Sequence, residues 1–102
     1  MTHFVIVRND LPRNILALSV MHAAGESSPG GLPSDTHGAL LAVPDEAALA
    51  AQAVRLRARG VQIVEIHEDR APYGGQLMAL GVVPGRKEDL KRHFGGLPTL
   101  KP

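Results

Sequence analysis

The chain has 102 residues, 44% of them hydrophobic, which suffices for one domain with a buried core and is too short for two. Eleven Lys+Arg against ten Asp+Glu leave a formal net charge of +1, which excludes a highly charged disordered tail and a strongly basic nucleic-acid arm. The absence of Cys excludes a disulfide scaffold, a thiolate–zinc site and a cysteine nucleophile, and one Tyr, two Phe and no Trp leave few platforms for stacking bases.

His3–Val7 is a short β-branched and aromatic run closed by Arg8-Asn9-Asp10, the pattern of a buried first strand. The run is too short for a membrane span or a secretory signal, and the cysteine-free chain is expected in the cytoplasm. Asp10 can cap a helix and Pro12 suits a first turn, so a helix is predicted from about Pro12 to Ala24. Between Ile15 and Ala24 only Ser19 and His22 are polar, hence this helix is expected to be largely buried and to end at Gly25 in the C′ position. Glu26–Gly38, dense in turn formers, reads as a loop. Ala39–Val43 is a second buried strand stopped by Pro44. Asp45 is a good N-cap, and Leu49, Ala53 and Leu56 recur at helical spacing in a second helix that ends at Gly60, with Arg55, Arg57 and Arg59 near its negative pole. Val61–Ile66 is a third strand, His67–Gly75 a polar loop and Gln76–Val83 a fourth strand. Pro84-Gly85 turns the chain into a short helix over Arg86–Phe94, and Leu97–Leu100 can add a short edge segment.

This order implies an α/β domain covering residues 1–102 whose sheet carries helices on both faces. The expectation is a three-layer α/β/α sandwich around a small mixed, mostly parallel four-stranded sheet. Right-handed crossovers make the first three strands mostly parallel, and the loop before the fourth is too short for a helix, so that strand is antiparallel. Ligands in such sheets sit beyond the carboxyl ends of parallel strands, which brings Asn9-Asp10, Pro44-Asp45 and His67-Glu68-Asp69 towards one edge.

His3, His22, His37, His67 and His93 are scattered without metal-ligand spacing, and no Gly-x-x-x-x-Gly-Lys phosphate loop is present, so neither a metal nor a cofactor is expected. Ile15, Ser19 and His22 fall at i, i+4 and i+7 on one helix face. A hydroxyl beside a histidine can do acid–base work aided by Asp10; equally, Ser19 can bond back to its own helix while His22 fills a polar niche. His67-Glu68-Asp69-Arg70 is a second ionisable cluster, suited to ligand binding or to a solvated loop, with His67 titrating nearest neutral pH.

Val7-Arg8-Asn9-Asp10-Leu11, Met21-His22-Ala23-Ala24, Ala71-Pro72 and Ala79-Leu80-Gly81 occur in the order of the V-R-x-D-L strand, the K-x-x-x-Q-x-x-H-A helix, the T-Q-I-A-P-G loop and the L-A-I-G-P strand of type-II peptidyl-tRNA hydrolases. The chain resembles that superfamily over nearly its whole length. The resemblance implies a small α/β/α domain with a mixed sheet, commonly a homodimer, that cleaves the ester between a peptide and tRNA. Asp10 and His22 carry over from the family pattern; with His67 they are the catalytic candidates, and Arg13, Asn14, Ser19, Asp69, Tyr73 and Gly74 are expected to bind substrate in the same pocket. Ile15 stands where the signature lysine belongs, Ser19 where the glutamine belongs, and Glu68-Asp69 where the Thr-Gln belongs. Arg86, Lys87, Lys91 and Arg92 form one basic patch, and Arg8 with Arg13 a second, to which tRNA phosphates can be drawn. The expectation is thus a divergent peptidyl-tRNA hydrolase-like protein. The alternatives are a non-enzymatic member of the fold that binds a small ligand or a partner chain, and an interaction or dimerisation module using the Leu-rich strands and the low-charge helix face.

Overall fold

The computed structural model of the chain describes residues 1–101. Its elements are β1 (Thr2–Arg8), α1 (Arg13–Ser27), β2 (His37–Val43), α2 (Glu46–Ala58), β3 (Ile63–Glu68), β4 (Gln76–Val82) and α3 (Lys87–Leu90), the last continued by a 3₁₀ turn over Lys91–His93. The strands form one mixed sheet in the order β2-β1-β4-β3. β1 and β2 are parallel, whereas β4 runs antiparallel to both β1 and β3. The expected mostly parallel sheet is corrected, because only the β1–β2 pairing is parallel. β3 does point the same way as β1, but β4 returns through the short Asp69–Gly75 connection and inserts between them. A connection of that length makes a hairpin, not a crossover, so these two like-directed strands are never neighbours.

β1 is buried on both faces. Its side chains alternate between them, as the pleat requires: Phe4 and Ile6 join Leu49, Leu56 and Leu80 on the α2 side, while Val5 and Val7 join Ala23, Ile66 and Met78 on the α1 side. Phe94, carried past the 3₁₀ turn, stacks on Phe4 with ring centroids 4.4 Å apart. α2 follows its sequence signals: the Asp45 carboxylate accepts from Ala48 N–H at 2.9 Å, Glu46 occupies the first turn, and Gly60 at φ 76° takes the chain out of the helix.

α1 departs from expectation in two respects. It continues through Gly25 to Ser27, and it buries only Ser19, Ala23 and Ser27 while Leu18 and Met21 stay exposed. The reason is close approach through small side chains. Ala23 and Ser27 lie against Gly81 of β4, so tightly that a Cβ built on Gly81 would stand 2.6 Å from Ser27 Oγ and 2.7 Å from Ser27 Cβ. Ser27 Oγ donates to Ala23 O at 2.6 Å and accepts from His3 Nε2 at 2.7 Å, tying the last turn to β1 and carrying the helix past Gly25. A helix seated on its smallest residues leaves Leu18 and Met21 outside, while Ile15, Leu16 and Val20 are half-buried against the α1-side core. The start of α1 is capped by no side chain, so Asp10 does not play the capping role expected of it.

The β1–β2 ladder begins at Thr2↔His37, which starts β2 two residues before the apolar run. Beyond α3, Pro98 O accepts from Ala42 N–H at 2.9 Å and Leu100 N–H donates to Leu40 O at 3.0 Å. The expected edge segment is therefore present as a short addition along the outer side of β2. Among the described residues no helix is long and apolar enough to cross a membrane.

Gly81→Ala is expected to destabilise the protein by about 1–3 kcal/mol through overpacking against α1. Gly25→Ala, at an exposed helical position with nothing within 4 Å of the new Cβ, is expected to stabilise it by about 0.5–1 kcal/mol. Urea denaturation of the two variants beside the parent chain measures both, and the opposite signs separate close packing from glycine content.

Candidate functional site

The helical spacing that aligns Ile15, Ser19 and His22 sets them over the carboxyl end of β3, where they enclose a cavity of about 150 Å³. Ile15, Leu18, Ile66 and Met78 make its apolar wall; Ser19, His22, His67, Glu68 and Arg70 supply its polar groups. Ser19 is buried and its Oγ donates to Ile15 O at 2.8 Å, four residues back in the helix. Its proton is thereby held by the backbone. His22 is exposed at the rim and makes no hydrogen bond among the described residues. The Glu68 carboxylate is lowered to about 2, first by the Arg70 side chain and backbone N–H, with a smaller contribution from His22.

His67 is held at both ring nitrogens. Nδ1 lies 2.9 Å from Gly75 O and Nε2 lies 3.0 Å from Glu65 Oε1, and a carbonyl and a carboxylate can only accept. Both nitrogens must therefore donate, which makes the imidazolium the form that satisfies both contacts. The Gly75 carbonyl, and then Glu65, raise the His67 pKa accordingly. Glu65 is itself ionised below the usual carboxylate range by Arg57, with His67 adding to it. Both contacts favour the protonated ring, and while it donates to both His67 has no lone pair to accept a proton.

Asp10 belongs to a different constellation. Arg8, at the end of β1, is 8% exposed, and its guanidinium donates from Nε to Asp10 Oδ1 at 2.7 Å and from Nη2 to Asp10 Oδ2 at 2.9 Å. Its Nη1 reaches Gln76 Oε1 at 2.8 Å and Leu77 O at 3.2 Å, the start of β4. Both oxygens of Asp10 are thus engaged, and the Arg8 hydrogen bonds lower its pKa. Arg8 is a buried clamp between β1 and β4, not half of a basic surface patch with Arg13.

The remaining sequence candidates are dispersed. Arg13 lines a separate cleft with Asn9 and Leu11, and Asn14 is exposed and lines neither this cleft nor the cavity. Tyr73 packs on the α1-side core, while Asp69 and Gly74 are exposed in the loop. Of the nine site candidates, the cavity brings together Ser19, His22 and His67. Sequence reading gave no individual role to Glu68 and Arg70, whose i, i+2 spacing at a strand end was the available signal for placing them together. Arg59 at the end of α2 meets Arg86, Asp89 and Arg92 around a third cleft of about 400 Å³, where Arg86 is paired with Glu88. Among the described residues no group of three or more His, Asp or Glu is placed to hold a metal ion.

No protein-family model matches the sequence, and no curated protein matches it. Its fold is similar to the solved structure of a protein of unknown function from Agrobacterium tumefaciens strain C58, with a TM-score of 0.59 and 16% sequence identity over 98% of this chain and 97% of that one. At that identity the likeness concerns the fold alone.

Two pH dependences follow from the geometry. Asp10, lowered in the folded state, stabilises the fold fully above its unfolded value near 3.8, and that contribution is lost as pH falls through the folded value. Asp10→Asn is expected to cost about 1 kcal/mol at neutral pH, a figure discounted for the exposure of Asp10, and to flatten the acid limb of stability against pH. His67, raised in the folded state, contributes fully below about 6.5 and loses that contribution as pH climbs through its folded value. His67→Gln is expected to remove this alkaline-side decline. Urea midpoints measured from acid to mildly alkaline pH test both.

Proposed function

We propose that the chain is a divergent relative of the type-II peptidyl-tRNA hydrolases, built as an α/β/α sandwich, that uses the helix–loop cavity to bind a small ligand without hydrolysing it. One observation carries the reading. The cavity joins the helix positions resembling the family signature, Ile15, Ser19 and His22, to the residues that precede Ala71-Pro72, yet its Ser19 and His67, and the family-like Asp10 outside it, are committed elsewhere. Ser19 gives its proton to Ile15 O, His67 is the doubly donating cation, and Asp10 is clamped by Arg8. Ile15 supplies a hydrocarbon where the signature would supply an ammonium.

The size of the cavity limits the ligand. About 150 Å³ is below the ~300 Å³ at which sites for drug-sized molecules begin, so the cavity accepts a group of a few heavy atoms and no nucleotide. Its apolar wall and its charged rim suit a group with one apolar end and one dipolar end, such as an N-acylated small amino acid. Hydrolysis is the second reading, favoured by His22, whose ring lines the cavity and makes no hydrogen bond among the described residues. In that reading His22 takes a proton from water attacking an ester carbonyl, and the Arg59, Arg86 and Arg92 cleft offers a surface for tRNA phosphates.

Incubation with N-acetylalanyl-tRNA and titration with N-acetylalanine distinguish the two. Binding of N-acetylalanine that perturbs the amides of His22 and Glu68, with no release of the amino acid from tRNA, is the expected outcome. Release that disappears in His22→Ala would establish hydrolysis instead, and the absence of both binding and release would overturn the proposal.

A further inference from the structure

A second opening, larger than the cavity beneath His22, is a cleft of about 640 Å³ where the carboxyl ends of β1 and β2 meet the first turns of α1 and the carboxyl-terminal segment. Asn9 and Leu11 come from the β1–α1 connection, Arg13 and Leu16 from α1, Ala42 from β2, and Leu100 and Lys101 from the segment that runs along the β2 edge. Its volume lies within the ~300–1,000 Å³ of small-molecule sites.

Topology singles out this place independently of volume. β1 and β2 are the parallel pair, and the helices that follow them lie on opposite faces of the sheet: α1 packs with Val5 and Val7, α2 with Phe4 and Ile6. The chain thus leaves neighbouring parallel strands in opposite directions, and their carboxyl ends are left flanking a crevice. Open α/β sheets bind ligands at such a switch point.

The lining defines the ligand chemistry. Arg13 and Lys101 bring two cations, and among the described residues no carboxylate lines the cleft. The nearest acid in sequence, Asp10, has both oxygens on Arg8 and does not neutralise them. Arg13 and Lys101 make no ion pair among the described residues, in contrast to Arg8, Arg57, Arg70 and Arg86, each of which has a carboxylate partner. Between the two cations the surface is apolar, formed by Leu11, Leu16, Ala42 and Leu100, with Asn9 and Thr99 as the neutral polar groups. Two unneutralised cations over a hydrocarbon floor complement an anion that carries an apolar body.

We infer that this cleft is a binding site for a small organic anion, an acyl or alkyl chain ending in a carboxylate or a phosphate, held by Arg13 and Lys101 with its chain on Leu11, Leu16 and Leu100. The site is separate from the cavity lined by Ser19, His22 and His67, and it does not rest on the reading proposed for that cavity.

Amide-resolved NMR titration of the ¹⁵N-labelled full chain with hexanoate, hexyl phosphate, hexanol and hexylammonium tests the assignment. Hexanoate and hexyl phosphate are expected to shift the amides of Asn9, Leu11, Arg13, Leu16 and Leu100 saturably and to compete with each other. Hexanol is expected to bind on the order of tenfold more weakly, the equivalent of one charge-assisted contact, and hexylammonium to give no saturable shift. Whichever anion binds tighter identifies the head group. The double variant R13Q/K101Q, altered only at exposed side chains, is expected to lose the preference for the anions over hexanol and to keep a dispersed spectrum. Equal affinity for hexanol and hexanoate in the parent chain, saturable shifts confined to other amides, or parent-like anion affinity in the double variant would overturn the inference. Since the readout is at Asn9–Leu16 and Leu100, it fails or succeeds independently of N-acetylalanine binding at His22 and Glu68.

Discussion

Every layer of this molecule is arranged around a strand that has no solvent face. Phe4, Val5, Ile6 and Val7 are all at most 6% exposed, so β1 must have a strand on each side and a helix on each face. Apolar burial of this kind is worth about 1.5–3 kcal/mol per large side chain, and it is available only if both helices arrive. β2 and β4 satisfy the backbone of β1, α1 covers Val5 and Val7, and α2 covers Phe4 and Ile6. The strand ends on Arg8, a cation carried into the interior by the same geometry. Burying that charge is tolerable because Asp10 supplies two acceptors and β4 supplies Gln76 Oε1 and the Leu77 carbonyl. The residue pair that looks like part of a catalytic signature is thereby occupied in holding β1 to β4.

The two helices meet the sheet by different means, and function follows the difference. α2 packs with large side chains, Leu49 and Leu56, at ordinary helical spacing. α1 seats Ala23 and Ser27 against the bare backbone of Gly81, with Ile15, Leu16 and Val20 half-buried beside them, and its other faces are turned to solvent or to openings. One face, carrying Ile15, Ser19 and His22, closes the small cavity at the end of β3. The first turn, carrying Arg13 and Leu16, borders the large cleft beyond β1 and β2. A single helix therefore separates two openings of different size and charge.

Hydrogen bonds, more than residue identity, decide what the groups around the small cavity can do. A serine four residues beyond a carbonyl in a helix is satisfied by that carbonyl, and a histidine between a carbonyl and a carboxylate is satisfied only as a cation. Both are ordinary side chains whose reactivity is set by their acceptors. The Ser19 bond is one that the helix pattern offers, whereas the full setting of His67 is not visible in a residue pattern: Glu65 shares its face as the residue two before it in β3, but the Gly75 carbonyl is brought to it by the β3–β4 hairpin.

The amino-acid sequence by itself determined the succession of strands and helices, the Asp45 cap and Gly60 stop of α2, the hairpin that makes β4 antiparallel, and the continuous apolar run of β1. Each of these rests on local chemistry: side-chain periodicity, a capping carboxylate, a glycine at positive φ, a connection too short to cross over. Tertiary structure alone decided where β4 inserts, how α1 sits and which polar groups remain available. The insertion of β4 between β1 and β3 is a choice among pairings that the local pattern leaves equal. The exposure of Leu18 and Met21 follows from a contact with Gly81 more than fifty residues away in the chain, which hydrophobic periodicity within the helix does not contain. For the same reason Arg8 and Arg13, five positions apart, have unlike fates: one is drawn into the sheet beside Asp10, and the other is left at a cleft where no carboxylate among the described residues answers it.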